Sequence, residues 1–240
     1  MKQHRFFIGK DGIEKEGTRT DASLAHQLKK VLRMRSGDTV VFFDASGNEY
    51  TVIIKGVDGP DIAYEIVGRK KNTEEGIKAH LFASIIKREN FEWIVQKATE
   101  CGVASITPIR TERTIKMDLK MERLEKIIKE AAEQSGRGYI PKLFPIKEFG
   151  EILSEPEKNT VSVLFDAAGE DADVFFEKNR KDARLFVGPE GGWTEQELVS
   201  AKEHGIFTAN LGTFTLRAET AAVIATYISV NGNKKERTTG

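Results

Sequence analysis

A glycine-rich segment, Gly188-Pro189-Glu190-Gly191-Gly192, directly follows the apolar run Leu185-Phe186-Val187. Three glycines in five residues let backbone atoms approach a ligand without obstruction by Cβ atoms. Glu190 adds a carboxylate, and Thr194 with Glu197 forms a capping-box pattern that begins a helix at once. This order predicts a binding loop at the end of a strand, although a tight strand-to-helix turn without a ligand has the same signature.

A second segment, Leu211 to Ala221, also lies between a predicted strand and a predicted helix. Arg217, Glu219 and Thr220 fall where that helix begins. Because the first backbone N–H groups of a helix have no partner within it, an Arg and a Glu beside them could orient a polar ligand. An ordinary helix start with an Arg–Glu pair would look the same in the sequence.

A third polar cluster, Glu130 to Arg137, ends a long predicted helix. Gln134, Ser135 and Arg137 could contact a polar ligand. Arg137 also suits a purely structural role, because a cation is favoured at the negative end of a helix dipole.

Several chemistries are excluded by motifs that the sequence lacks. No G-x-G-x-x-G follows a strand, and neither a P-loop nor a G-x-S-x-G nucleophile elbow is present. The four histidines show no ligand spacing, so we expect no metal. The single Cys101 excludes an internal disulfide and fits a reducing compartment, and we expect it to be a packing residue.

Two parts of the chain with different periodicity must position these segments. In the first part, β-prone runs at 5–8, 39–43, 50–54 and 62–67 surround one helix that Asp21 could cap, which predicts a small β barrel. A polar, charged stretch at 72–78 predicts a linker.

From residue 79 onwards, apolar strands alternate with amphipathic helices, which predicts a mainly parallel sheet covered by helices. Ligands of open α/β sheets bind beyond the carboxyl ends of strands, where both glycine-bearing segments fall.

Composition is that of an ordinary globular protein, with 39% hydrophobic and 31% charged residues. Residues 1–150 hold 27 Lys and Arg against 22 Asp and Glu, and residues 151–240 hold 10 against 15. A basic first part suits a polyanion-binding surface, but so small a surplus also describes ordinary solvated surface. No apolar run approaches the ~20 residues that cross a membrane, and the N-terminal run is too short for a signal peptide, so we expect a cytoplasmic protein.

Five motifs, in their order and spacing, resemble one family. They are His4-Arg5-Phe6-Phe7, Gln96 to Val103, Glu130 to Arg137 with Pro141, the Gly188 segment, and Leu211-Gly212 through Leu216 to Ala221. Over nearly the whole chain, from His4 to Asn231, the sequence resembles the RsmE-type methyltransferases of the knotted SPOUT superfamily, which methylate N3 of a uridine in small-subunit ribosomal RNA.

The resemblance implies an α/β fold class with an N-terminal small PUA-like β barrel plus a C-terminal SPOUT α/β domain with a trefoil knot. The expected domains are an RNA-binding barrel at 1–71, a linker at 72–78, a methyltransferase domain at 79–233 and a polar tail at 234–240. It also implies S-adenosylmethionine as cofactor, ribosomal RNA as partner, and a homodimer with the active site at the subunit interface.

Three sets of site residues follow from the motifs together with this resemblance. For catalysis we expect Arg217 and Arg137, because a guanidinium can stabilise negative charge on the uracil ring, and Glu219 as proton acceptor. For S-adenosylmethionine we expect Phe165, Asp166, Val187, Gly188, Pro189, Glu190, Gly191, Gly192, Leu211, Gly212, Leu216, Arg217, Ala218 and Thr220. For RNA we expect Arg5, Arg33, Arg35, Lys97, Gln134 and Arg137.

The sequence departs from the family at Cys101, where Leu is usual, and at Phe214, where many relatives have Arg. Three other functions stay open: the same chemistry on another uridine or base, a non-catalytic RNA-binding protein, and a nucleotide-binding enzyme that uses the Gly188 segment for phosphate. The Pro189-Glu190 pair is unfavourable to phosphate.

Overall fold

The computed structural model describes residues 3–9, 13–73, 76–114, 117–154, 160–176 and 181–232. The chain forms two compact units, one of residues 1–74 with 132–140 and one of residues 75–131 with 141–240. The expected tail at 234–240, and residues 74 and 75 of the expected linker, lie outside the described residues.

The first unit contains a five-stranded sheet with the strand order β1-β3-β4-β5-β2, in which only the β1–β3 pair is parallel. Helix α1 continues into a π-helical turn, Gln27–Val31, and buries Leu24, Ala25 and Leu28 in one core with the strands. The predicted cap is confirmed, since the Asp21 carboxylate accepts from the Leu24 backbone N–H at 3.0 Å. The elements are β1 Arg5–Phe7, β2 Glu16–Thr20, α1 Ala22–His26, β3 Thr39–Phe43, β4 Asn48–Asp58 and β5 Asp61–Lys71.

Strand β2 escaped sequence prediction because none of its residues is buried. It has no apolar alternation, and its place is set by antiparallel pairing with β5. Among the described strands β1 and β2 end the strand order and do not pair with each other, so the closure of a barrel is not seen in the pairing.

Residues 132–140 join the first unit through backbone and side-chain hydrogen bonds. The Phe7 N–H donates to the Glu133 carboxylate at 2.9 Å, and the Gly47 N–H donates to the Gly138 carbonyl at 3.2 Å. The Tyr139 hydroxyl donates to the Asn72 carbonyl at 3.0 Å. Gly47 has a φ of +89°, and a Cβ there would collide with the Tyr139 ring, so this position requires glycine.

The second unit contains a seven-stranded, wholly parallel sheet with the order β12-β10-β11-β6-β7-β8, and β9 pairs with β7. This confirms the predicted alternating α/β pattern. The elements are β6 Lys78–Ser84, α2 Arg88–Glu100, β7 Ser105–Arg110, α3 Met121–Ser135, β8 Lys142–Leu143, β9 Lys147–Glu148, α4 Phe149–Leu153, β10 Thr160–Asp171, β11 Asp182–Val187, α5 Glu195–Glu203, β12 Phe207–Asn210 and α6 Ala218–Asn231, with a 3-10 turn at Ala172–Phe175. None of the described helices is long and apolar enough to cross a membrane.

One core of this unit lies between the sheet and helices α4 and α5. Phe82 and Phe186 stack at 4.8 Å between ring centroids, and Phe149 and Trp193 pack beside them. The capping box at Thr194 and Glu197 is confirmed at the start of α5, directly after the Gly188 segment.

Candidate active site

The carboxyl ends of three neighbouring strands, β12, β10 and β11, lie side by side in the second unit. Phe165 of β10 is in register with Val187 of β11 and with Ala209 of β12. Beyond Phe165 the register of β10 shifts until Glu170 pairs with Ala209, so residues 166–169 leave the ladder. Two adjoining cavities open at this edge of the sheet.

The first cavity has a volume of about 360 Å³, which is within the usual range for small-molecule sites. Its walls come from the Gly188 segment, the bulge of β10 and the start of α6. The lining residues are Phe165, Asp166, Ala167, Val187, Gly188, Pro189, Glu190, Gly192, Trp193, Thr215, Leu216, Arg217, Ala218 and Ala221.

The second cavity has a volume of about 420 Å³ and shares the Phe165–Ala167 wall with the first. Its own lining comes from the Leu211 segment and includes Asp171, Ala209, Asn210, Leu211, Gly212, Thr213 and Phe214. Phe214 is 84% exposed, so an aromatic face stands open at the rim of this cavity. The two glycine-bearing segments, which α5 and β12 separate in the chain, therefore build one continuous site.

Trp193 fixes the shape of the first cavity. Its indole N–H donates to the Phe165 carbonyl at 3.1 Å, which ties the Gly188 segment to the end of β10. A Cβ on Gly188 would lie 2.9 Å from the indole Nε1, so glycine is needed here to let the indole pass. Gly192 has a φ of +68° and closes a turn by donating to the Pro189 carbonyl at 2.9 Å.

Gly191, expected in the cofactor-binding set, is not among the residues that line either cavity. A Cβ there would meet the Arg113 side chain, with Cδ at 3.4 Å. A side chain at position 191 would therefore point toward Arg113 and away from both cavities. Thr220 also lies outside both linings, because it is the third residue of α6 and only the first, Ala218, and the fourth, Ala221, reach a cavity.

This site belongs to a chain whose residues 73–229 match the model of the RNA methyltransferase domain, and residues 21–64 match that of the RNA methyltransferase PUA domain. The ribosomal RNA small subunit methyltransferase E of Synechocystis is 30% identical over 221 residues, which are 89% of this chain and 72% of that relative. The chain belongs to the RsmE-type methyltransferase family.

Two further relatives agree with this membership. The ribosomal RNA small subunit methyltransferase E of Bacillus subtilis is 29% identical over 215 residues, covering 83% of this chain and 84% of that protein. The crystal structure of the same enzyme from Neisseria gonorrhoeae, bound to S-adenosylmethionine, matches with a TM-score of 0.86 and 28% identity, covering 94% of this chain and 95% of that one.

Arg217 and Glu219 begin α6 in this family member and differ sharply in exposure. The Arg217 side chain is 84% exposed and lines the first cavity, whereas the Glu219 side chain is only 14% exposed. Their nearest charged atoms are 4.0 Å apart. The buried Oε2 of Glu219 has no hydrogen-bond partner among the described residues, and Glu219 itself lines neither cavity.

Arg137, the third residue expected in catalysis, is in the first unit and is buried there. Its backbone carbonyl accepts from Arg5 at 3.4 Å. Burial of Arg137 suits a structural role, and its part in catalysis stays a prediction.

Arg5, expected to contact RNA, forms an ion pair inside the first unit. Its guanidinium donates twice to the Glu49 carboxylate, at 2.6 and 3.1 Å, and lies over the Phe43 ring. Burial alone would raise the pKa of Glu49, but the hydrogen bonds and charge of Arg5 together with Asn72 lower it. The family motif that begins the chain is therefore part of a structural ion pair.

The other residues expected to contact RNA fall into two groups. Arg33, Arg35 and Gln134 are exposed and can reach a phosphate. Lys97 instead pairs with Glu100 at 2.8 Å, which neutralises much of its charge. The exposed arginines are thus the better candidates for backbone contacts that position RNA.

The sequence did not predict Trp193 and Asn210, which line the cavities, or Arg113, which contacts the Gly188 segment from outside them. Trp193 directly follows Gly192, and an apolar side chain at the end of a glycine loop was a usable signal. Arg113 follows β7, which is separated from β11 in the sheet by β6, and no local pattern links it to the Gly188 segment. Cys101 is half-buried, and burial raises the pKa of its thiol, which agrees with the expected packing role.

Proposed function

We propose that this protein transfers the methyl group of S-adenosylmethionine to N3 of a uridine in 16S ribosomal RNA. The observation that carries the proposal is the continuous site at the ends of β10, β11 and β12, found in a member of a family of RNA methyltransferases. RsmE relatives named for the small subunit support the class of RNA.

The residues of the site fit this cofactor. Phe165, Val187 and Leu216 offer apolar surface for an adenine ring, and Asp166 and Glu190 offer carboxylates for hydroxyl or cationic groups. The glycines bring backbone N–H and carbonyl groups into the wall, and the Neisseria structure was solved with S-adenosylmethionine bound. When bound, this cofactor supplies a methyl group on a positively charged sulfonium.

Arg217 suits the task of holding the uracil ring. N3 of uridine is a weak nucleophile until its proton leaves, and loss of the proton places negative charge on the ring oxygens. The exposed Arg217 guanidinium can donate two bonds to that edge. Because the side chain is free to turn, it can follow the base into the site.

Glu219 suits the task of accepting the N3 proton. Its Oε2 is buried, and within the described residues no group donates to it, so the carboxylate keeps an unused acceptor next to Ala218, which lines the first cavity. Arg217, 4.0 Å from its other oxygen, would place its guanidinium on the same side of the base as this carboxylate. Arg137, which is buried in the first unit, would support the structure there.

Residues 1–71 would dock the RNA, residues 72–78 would link, and residues 79–233 would perform the transfer. The exposed Arg33 and Arg35 would contact phosphates. We infer a trefoil knot through the three segments of the site, a homodimer with the active site at the subunit interface, and action in the cytoplasm on the small ribosomal subunit.

A methyl-transfer assay tests the function. Purified protein is incubated with labelled S-adenosylmethionine and with either small ribosomal subunits or naked 16S RNA that lacks the modification. A methyl group on N3 removes the Watson–Crick donor, so reverse transcription should stop at one uridine that mass spectrometry shows to be methylated. Label on carbon 5 or on a ribose hydroxyl would leave transcription unaffected and would refute the N3 assignment. Cofactor binding without any transfer would instead indicate an RNA-binding protein.

A further inference from the structure

Arg113 lies outside both cavities, in the turn that follows β7, yet it contacts the wall of the first cavity from behind. Its Nη1 donates to the Gly191 carbonyl at 2.8 Å and to the Trp193 carbonyl at 3.3 Å. The aliphatic stem of Arg113 lies beside Gly191, where a Cβ on the glycine would be 3.4 Å from Cδ and 3.5 Å from Cβ of the arginine. One side chain thus holds two carbonyls of the segment that shapes the site.

One side of the Gly188 segment faces the first cavity, and the other side faces Arg113. Gly188, Pro189, Glu190 and Gly192 line the cavity, whereas Gly191 does not. Its carbonyl points toward Arg113, where the guanidinium satisfies it. A carbonyl without this donor would be free to rotate, and the turn closed by Gly192 would lose its support.

The turn that carries Arg113 is itself well anchored. Thr111 and Thr114 bond each other through their hydroxyls at 2.8 Å, which closes the turn on itself. The Glu112 N–H donates to the Glu197 carboxylate at 3.0 Å, and the same carboxylate caps α5 by accepting from the Thr194 N–H at 2.9 Å. The turn that carries Arg113 is therefore held in place by hydrogen bonds, and Arg113 can in turn fix the position of the Gly188 segment.

We propose that Arg113 is a positioning residue that holds the Gly188–Trp193 segment in its cofactor-binding shape. The effect reaches the far wall of the cavity, because the backbone of Trp193 is held by Arg113 while its indole holds the Phe165 carbonyl. An arginine suits the position better than a lysine, because Lys Nζ would stop about one bond short of the two carbonyls. For the cofactor, this inference rests on the proposed function.

The first test needs no cofactor. In a Trp93→Phe background Trp193 is the only tryptophan of the chain, and it is buried. Arg113→Ala should raise the acrylamide quenching constant of Trp193 by about twofold or more, because a loosened segment exposes the indole. Arg113→Lys should give an intermediate value. Quenching equal to that of the parent would overturn the proposal, whether or not the protein binds S-adenosylmethionine.

The second test separates positioning from chemistry. Arg113→Ala and Arg113→Met should raise Kd and KM for S-adenosylmethionine at least about tenfold, because hydrogen bonds from a charged donor are lost, while kcat at saturation stays within about threefold. Millimolar ethylguanidinium should restore much of the affinity of Arg113→Ala, since the side chain lies at the surface. A lower kcat with an unchanged Kd would contradict the proposal.

Arg110→Ala is the matched control. Arg110 precedes the same turn and pairs with Glu148 at 3.4 Å, so its loss removes a cation without touching the Gly188 segment. Its quenching and cofactor affinity should equal those of the parent. A parent protein that does not bind S-adenosylmethionine would refute the proposed function, and the quenching experiment would still decide the role of Arg113.

Discussion

Replacing Gly188 by Ala tests whether the indole of Trp193 sets the shape of the cavity. The added Cβ would lie 2.9 Å from Nε1 and 3.0 Å from Cε2 of a ring that is buried. The ring must move, and the movement lengthens its 3.1 Å hydrogen bond to the Phe165 carbonyl. Overpacking costs about 1–3 kcal/mol, and a weakened buried hydrogen bond adds about 1 kcal/mol. We expect the unfolding free energy to fall by roughly 2–4 kcal/mol.

Thermal unfolding and calorimetry of S-adenosylmethionine binding measure the two consequences. At about 2–4 °C per kcal/mol for a chain of this size, Tm should fall by roughly 5–15 °C. Affinity should fall at least about tenfold even at temperatures where the variant is folded, because two walls of the cavity move together. Gly150→Ala is the matched control: a Cβ there meets no atom within 4 Å, so Tm should stay equal or rise slightly.

A second substitution decides whether the indole is the cause. Trp193→Ala removes the ring that the new Cβ would strike, so Gly188→Ala should cost less in that background than in the parent. Strictly additive losses of stability, or a Gly188→Ala protein with the Tm and affinity of the parent, would show that the reasoning from this contact is wrong.

Three further perturbations address chemistry, RNA contact and pH. Arg217→Ala should lower kcat about 100-fold with little change in Tm or cofactor Kd, because the side chain is exposed. Single-turnover kinetics measure this rate. Equal losses in rate and in cofactor affinity would count against a role in the reaction. Phe214→Ala should raise KM for RNA about tenfold, because it removes an exposed surface on which a base can stack. The control Val199→Ala, on the exposed surface of α5, should leave KM unchanged. An unchanged KM for Phe214→Ala would exclude stacking of RNA on this ring. Burial alone would raise the pKa of Asp44, but hydrogen bonds from Ser46, Asn48 and Tyr50 lower it to about 2. The ionised carboxylate therefore stabilises the fold above about pH 4, and this stability is lost as pH falls toward 2. The unfolding free energies of the parent and of Asp44→Asn, measured with urea, should converge over that range. A difference in free energy that does not change with pH would contradict the assignment.

The sequence predicts the parallel sheet and the two strand-end segments because their signals are local. Leu185-Phe186-Val187 is apolar, the glycines follow at once, and Thr194 with Glu197 marks the next helix. The meeting of the Gly188 and Leu211 segments was also predictable, since the carboxyl ends of parallel strands share one edge of a sheet.

Long-range partners could not be predicted in this way. In the sequence Arg5 looks like a phosphate contact because it is basic. Only the fold shows that Arg5 is paired with Glu49. The orientation of Gly191 away from the cavity depends on Arg113, a residue 78 positions earlier in the chain. Periodicity describes neighbours within an element, and these pairs join different elements.

Because residues 132–140 complete the first unit, that unit is discontinuous along the chain. A ribosome must synthesise the chain through residue 140 before the Phe7 and Gly47 N–H groups can find Glu133 and Gly138. A fragment that ends at residue 74 would leave these donors open to solvent and would lack Tyr139. The first unit is therefore expected to complete its fold only after residue 140 is made, and a single proteolytic cut after residue 74 would yield a piece that lacks part of its own structure.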